Sequence, residues 1–195
     1  MKSVYDYLTE SPRKMKGDAP FSEFSEYVLK EKSKKVLDLY HSDTGFRYRG
    51  MSLYKSDKSQ TYIMGFFAED DRLSVVNETT LVETKYTSDT KLLKGKKLVA
   101  IDTVHTSLYW RGEGVSGSMY RYILDQGYTI ISDSLQYEGA VNLWKGFLRM
   151  QDVVVYIYDI QEDVIISKAS PNTPESHIWS TNSDKERIRL VLVKK

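Results

Sequence analysis

The side chains best placed to move protons for one site fall between residues 102 and 138. Asp102 and His105 stand in Lys97-Leu98-Val99-Ala100-Ile101-Asp102-Thr103-Val104-His105, a run that reads as a β-strand. His105 titrates near neutrality and could take a proton from an amine through water; the simpler reading is a hydrogen-bonded strand-end histidine. An odd spacing sets Asp102 and His105 on opposite faces of a regular strand, so both serve one site only if a bulge intervenes. Further on come Asp133, Gln136, Tyr137 and Glu138. Asp133 suits the cap of a following helix, and Gln136 suits a loop hydrogen bond or a contact to substrate. The other histidines, His41 and His177, make no metal-ligand spacing, and the absence of cysteine excludes disulfides and thiolate chemistry.

Between these groups lies Tyr109-Trp110-Arg111-Gly112-Glu113-Gly114-Val115-Ser116-Gly117-Ser118-Met119-Tyr120. Val115, Met119, Tyr122 and Ile123 recur at helical spacing, and the pattern stops at Gly127. A strand therefore runs into a glycine-rich turn that opens a helix. Such a turn presents several backbone N–H groups at the positive end of the helix dipole, which suits phosphate, and Arg111 adds a guanidinium at the rim. Ser116 and Ser118 thus belong to a phosphate turn rather than to a nucleophile elbow.

The elements that must hold this stretch follow from periodicity. In residues 1–35 an arm of mixed charge leads to a short helix that sets Phe21, Phe24 and Val28 on one face. From residue 36 the texture is that of strands: Val36–His41, a turn at Ser42-Asp43-Thr44-Gly45, then Phe46–Tyr54 with alternating apolar and polar side chains. Lys55–Lys58 makes another turn and Thr61–Phe67 another strand. Leu73–Val76 and Thr80–Tyr86 read as a further strand or hairpin, and Lys91–Lys97 as a basic loop. The second half alternates: strand 97–106, helix 114–126, strand 128–132, and helix 138–150 with Val141, Trp144 and Leu148 on one face. Then come the apolar strand Val153–Tyr158, a hairpin partner at 163–167, a polar loop from Pro171 to Lys185, and a last strand, Arg187–Val193.

Length and charge bound the rest. At 195 residues with 41% hydrophobic and 28% charged side chains, the chain fits one soluble domain with a real core. A net charge of +1 gives no global reason to expect nucleic acid, although a local patch could hide in it. The clusters Lys30-x-Lys32-x-Lys34-Lys35 and Lys91-x-x-Lys94-x-Lys96-Lys97 read as solvated faces; converging beside Phe46-Arg47-Tyr48-Arg49, they could bind phosphate. No apolar run approaches a membrane span and no signal-peptide core is present, so a cytoplasmic protein is expected. Fifteen tyrosines suit half-buried strands or a recognition surface.

Two motifs and the element order carry a resemblance. Arg111-x-x-Gly114-x-Ser116/Gly117 resembles the pyrophosphate loop of the GNAT-type N-acyltransferases, Arg/Gln-x-x-Gly-x-Gly/Ala, with Ser116 where glycine or alanine is usual. Gln136-Tyr137-Glu138-Gly139-Ala140-Val141-Asn142-Leu143-Trp144-Lys145-Gly146-Phe147 is similar to the family's Asn-x-x-Ala-x-x-Leu-Tyr-x-x-x-Gly-Phe helix. Together they cover about residues 97–158, and the pattern looks most like GNAT-like proteins encoded by bacteriophages. The resemblance implies an α/β fold for residues 36–195: a mixed, mostly antiparallel sheet with splayed central strands and flanking helices.

It also implies acetyl-CoA or another acyl-CoA as cofactor. Its pyrophosphate would rest on Arg111, Gly112, Gly114, Val115, Ser116 and Gly117, with Thr106 and Leu108 as strand contacts. The stretch from Val104 to Arg111 is longer than the usual pattern. Asp102, His105 and Tyr137 are the candidate catalytic groups, and Asp133 and Gln136 the candidate substrate contacts. Trp144 replaces the family's helix tyrosine, and an indole N–H is no general acid. The function implied is acyl transfer to an amine of a protein, a small molecule or a nucleobase, with no membrane partner. The alternative is a catalytically degenerate phage protein that binds or inhibits a host protein in the host cytoplasm.

Overall fold

A computed structural model describes residue 29 and residues 41–67, 73–84, 88–132, 138–178 and 187–195. The arm and most of the N-terminal helix expected in residues 1–35, the strand start at 36–40, and Asp133, Gln136 and Tyr137 lie outside the described residues. Leu29 alone represents that helix: it is helical, and it is buried among Tyr54, Ile63, Leu73 and Val75.

The chain divides into two compact units whose boundary falls inside one strand, between Ala100 and Ile101. The unit of Pro20–Glu83 and Ile101–Gln126 is a meander with a helix on it. Its strands are β1 (His41–Tyr48), β2 (Met51–Ser56), β3 (Thr61–Phe67) and β4 (Leu73–Glu83), paired antiparallel in that order up to β4. Beside β4 comes β5 (Lys97–Thr106). A 3₁₀ turn, Leu108–Trp110, then leads to helix α1 (Val115–Asp125). The helix buries Val115, Met119, Tyr120, Ile123 and Leu124 on one stripe, as the sequence periodicity requires.

Two expectations for this unit are corrected, and one left open is decided. The turn expected at Ser42–Gly45 is an irregularity inside β1, where the register against β2 shifts between Asp43 and Arg47. The chain reverses instead at Arg49-Gly50, both with positive φ (48° and 80°), which is the two-residue turn whose twist matches a hairpin. Phe46–Tyr54 is therefore two strands, not one. Of the two readings left open for Leu73–Val76 and Thr80–Tyr86, a further strand or a hairpin, the described residues give the strand: Leu73–Glu83 is a single eleven-residue β4. That strand carries a bulge: Met64 opposes Asn77 while Gly65 opposes Val75, so Val76 is extra. Gly65 is needed there, because a Cβ on it would stand 2.3 Å from the Ser74 carbonyl oxygen.

The other unit contains Thr84–Ala100 and Gly127–Lys195. Its strands run in the order β5-β6-β9-β7-β8, with β6 at Tyr128–Ile131, β7 at Val153–Asp159, β8 at Val164–Lys168 and β9 at Ile188–Lys194. The β5–β6 pair is parallel, as a strand–helix–strand crossover requires, and the remaining pairs are antiparallel. The last strand enters between β6 and β7, which no local pattern in the sequence announces. Helix α2 (Glu138–Phe147) buries Val141, Trp144 and Phe147; Leu148 falls beyond its end, and Phe147 takes the place expected for it. A short helix, α3 (Glu175–Ile178), interrupts the expected polar loop. Leu93, Leu98, Ile131, Tyr158 and Val191 form this unit's buried cluster. The architecture is mixed α/β with mostly antiparallel pairing. No helix among the described residues is long and apolar enough to cross a membrane.

Candidate functional site

The site sits where β5 gives way to α1. Gly112 and Gly114 both take the left-handed conformation (φ 79° and 78°), and Gly114 is the N-cap of α1 with no side chain capping it. The amides of Val115, Ser116 and Gly117 occupy the first helical turn, where no carbonyl four residues back can receive them. A Cβ on Gly112 would meet nothing within 4 Å, so the approach there is open. Val115 and Gly117 are buried as whole residues, backbone included, whereas Gly112, Glu113 and Gly114 are exposed. Ser118 turns its hydroxyl back to the Val115 carbonyl at 2.7 Å.

The hairpin turn between β1 and β2 clasps this loop. Tyr48 donates its hydroxyl to the Glu113 carbonyl at 2.9 Å, and a Cβ on Gly114 would stand 2.8 Å from that hydroxyl. Arg49 pairs with the Glu113 carboxylate, and that bond holds the guanidinium's pKa above its already high range. An acidic side chain on an anion-binding loop would repel its ligand; here its charge is matched by Arg49. Arg111 is exposed and makes a long bond, 3.3 Å, from Nε to the Thr106 carbonyl.

Beneath the loop runs a polar chain, buried at its Asn77–Thr79 end. The Thr79 hydroxyl donates to Asn77 Oδ1 at 2.9 Å, which sets the amide so that Asn77 Nδ2 donates to Thr106 Oγ1 at 2.8 Å. Thr106 Oγ1 lies 2.9 Å from Ser116 Oγ. Asn77 and Thr79 are wholly buried, so each needs these partners. Either hydroxyl can donate in the contact of Thr106 with Ser116, because Thr106 Oγ1 keeps a second lone pair besides the one that receives Asn77. The serine that stands where glycine or alanine is usual thus closes a chain of side chains.

The long stretch before Arg111 is the 3₁₀ turn. Ser107 N–H bonds the carbonyl of the bulged Val76 at 2.9 Å, and the Trp110 ring lies 5.3 Å from Phe66. Anchored on both sides, the turn leaves Leu108 47% and Tyr109 89% exposed. Leu108 is therefore a surface residue beside the loop.

Asp102 is exposed and His105 half-buried on β5, ahead of Thr106. Thr84 N–H reaches Leu98 O and Ser107 N–H reaches Val76 O, so the ten residues Leu98–Ser107 run beside the nine residues Val76–Thr84. One extra residue therefore lies between Leu98 and Ser107, and spacing alone no longer separates Asp102 from His105. Trp144 is 2% exposed and edge-on to Phe147 at 5.8 Å, a core residue of its own unit. Among the described residues no group of three His, Cys, Asp or Glu could hold a metal ion.

Sequence reasoning brought together Thr106, Leu108 and Arg111–Gly117, and the structure keeps them contiguous. It missed Asn77 and Thr79, whose signal was a polar run inside an otherwise apolar strand. Tyr48 was visible only as part of an aromatic–basic run.

No family model matches this chain, and no curated protein matches its sequence. Among solved structures, the IAA acetyltransferase from Bacillus cereus ATCC 14579 is similar at a TM-score of 0.35 and 10% identity. That match covers 75% of this chain and 79% of that one, a likeness too low to carry an argument.

Proposed function

We propose that this chain is a GNAT-like N-acyltransferase that takes an acyl group, acetyl first among them, from acyl-CoA to an amine. One observation carries the reading: a strand runs through two left-handed glycines into a helix start that no side chain caps. That arrangement offers converging amides to a pyrophosphate, with Arg111 at the rim and Arg49 cancelling the charge of Glu113. The residues therefore fit the diphosphate part of a CoA. Arg111, Gly112, Gly114, Val115, Ser116 and Gly117 would hold it, with Thr106 fixing Ser116 and Leu108 at the edge. Acyl-CoA supplies a thioester whose C–S bond is exchanged for a C–N bond, the proton lost by the amine ending on the released thiol. For this chain the proton acceptor is His105 or Asp102 on β5, and Tyr137 is the neighbour that would take the donor role left by Trp144; Asp133 and Gln136 are assigned to the amine.

The second reading, a phage-encoded binding module without catalysis, is favoured by one feature. Leu108 and Tyr109 expose apolar surface beside the loop on a firmly anchored turn, which would suit a protein partner in a host cytoplasm.

Calorimetric titration with acetyl-CoA decides between them. Wild-type binding that is weakened at least tenfold by the exposed change Arg111→Ala, with unfolding temperature unchanged, supports the transferase. An absence of wild-type binding removes it.

A further inference from the structure

Glu78 is a buried acidic residue to which the proposed acyl transfer gives no role. It lies in the middle of β4, is 6% exposed, and opposes Ile63 of β3. Directly opposed residues share a face, and Ile63 belongs to the buried cluster of Leu29, Tyr54, Leu73 and Val75. Taking a carboxyl group out of water beside such a cluster is costly, and a position that had only to fill space would carry an apolar side chain.

Strand register supplies a neighbour for it. Ser107 N–H bonds the Val76 carbonyl at 2.9 Å, and Asn77 Nδ2 reaches Thr106 Oγ1 at 2.8 Å. These contacts fix two successive rungs, Val76 with Ser107 and Asn77 with Thr106. The next rung sets Glu78 opposite His105, where antiparallel partners hold their Cβ atoms about 5.5 Å apart on one face. A carboxyl group and an imidazole reach each other over that span. The rung also adjoins the glycine loop, because Thr106, the residue after His105, lies 2.9 Å from the hydroxyl of Ser116.

We propose that Glu78 is the positioning residue for His105, and that His105 so held, rather than Asp102, takes the proton of the amine. The inference rests on the acyl-transfer reading. Glu78 accepts the N–H of one ring nitrogen, which fixes the tautomer and leaves the other nitrogen as an acceptor for the amine. As the amine nitrogen bonds to the acyl carbon, its proton passes to that acceptor, and Glu78 stabilises the imidazolium that forms. The electron pair of the C–S bond leaves on sulfur. Sulfur takes a proton from Tyr137, and the imidazolium makes that proton good through water.

Nuclear magnetic resonance reads the pair before any acceptor is known. The chain has three histidines, His41, His105 and His177, so their ring signals are few enough to follow through a pH titration. Glu78→Gln should lower the His105 midpoint by about one pH unit or more, since a carboxylate at that range favours the imidazolium, and should leave His41 and His177 in place. In the wild type the Glu78 carboxyl carbon should show an inflection at the His105 midpoint, which keeps the test open if Glu78→Gln does not fold. A His105 midpoint that ignores Glu78→Gln, or a carboxyl carbon without that inflection, overturns the pair. Calorimetry with acetyl-CoA should give the same affinity for wild type and Glu78→Gln. Acetyl transfer is then followed with a lysine peptide, a polyamine and an aminoglycoside as acceptors. Its kcat should fall at least tenfold in Glu78→Gln, and the acid limb of the pH profile should move down with the His105 midpoint. Loss of transfer in Asp102→Asn with Glu78→Gln at the wild-type rate overturns the proposal. A coupled His105 in a wild type that binds no acetyl-CoA overturns the transferase reading instead, and with it the catalytic role of the pair.

Discussion

Thr106 links two roles through one hydroxyl. It receives the buried Asn77 amide on one side and meets Ser116 on the other. Thr106→Val keeps the shape but strands Asn77 Nδ2 without an acceptor, which costs about 2 kcal/mol. In a chain of this size that lowers the unfolding temperature by about 4–8 °C. Thr106→Ser restores the hydroxyl and should restore most of that loss; differential scanning calorimetry of the pair checks it. Ser116→Ala removes only the half-buried end of the chain, so its expected effect on stability is under 1 kcal/mol. If Ser116→Ala lowers the melting temperature as much as Thr106→Val, the loss of an acceptor for Asn77 is not what makes Thr106→Val costly. Gly114 is constrained more severely. Even alanine there meets a left-handed φ and the Tyr48 hydroxyl together, so Gly114→Ala should lose stability and ligand binding at once.

Among elements, the β1–β2 turn and the glycine loop are joined by the adjacent residues Tyr48 and Arg49. The Arg49–Glu113 pair is exposed and screened by water and salt, so the neutral Tyr48 hydrogen bond is the firmer half of the clasp. Tyr48→Phe should cost about 1 kcal/mol and speed amide exchange in residues 111–114 without altering β2 or β3; hydrogen exchange measured peptide by peptide reads this directly. How much of this was legible depends on period. β5, α1, β6, α2 and β7 each hold one period long enough to fix their ends within a few residues, and the glycine turn falls between two of them. The hairpin at Arg49-Gly50 was hidden because arginine is not a residue expected at positive φ, and the alternation of side chains passes through it unbroken. β4 stayed open between a strand and a hairpin because Asn77-Glu78-Thr79-Thr80 reads as solvent-facing when taken alone. Asn77 and Thr79 are buried because Thr106, far along the chain, receives Asn77, and Asn77 in turn receives Thr79. Local patterning carries no information about such a partner.

At the scale of the molecule, each unit needs its own fastening, and for the Thr84–Ala100/Gly127–Lys195 unit Asp163 supplies it. Asp163 sits at the β7–β8 turn in the left-handed region, φ 52°, which aspartate tolerates better than most residues. Its carboxylate accepts the Ser88 hydroxyl at 2.6 Å, the Tyr158 hydroxyl at 2.6 Å and the Asp89 N–H at 2.7 Å, tying the segment after β4 to the hairpin. These donors, Ser88 first and Tyr158 next, hold its pKa below the ordinary carboxylate value. A carboxylate with a lowered folded pKa binds its proton more readily when the chain is unfolded. The stability it contributes is therefore complete above the unfolded value of about 3.9 and is lost as pH falls through the lower folded value. Asp163→Asn should accordingly unfold at lower temperature than wild type from pH 5 to 8, by a difference that does not change with pH in that range. The two melting curves should converge only below about pH 4, as the wild-type carboxylate takes up its proton. A difference that instead grew on acidification would mean that the charge of Asp163 opposes the fold and that the three donors do not secure it.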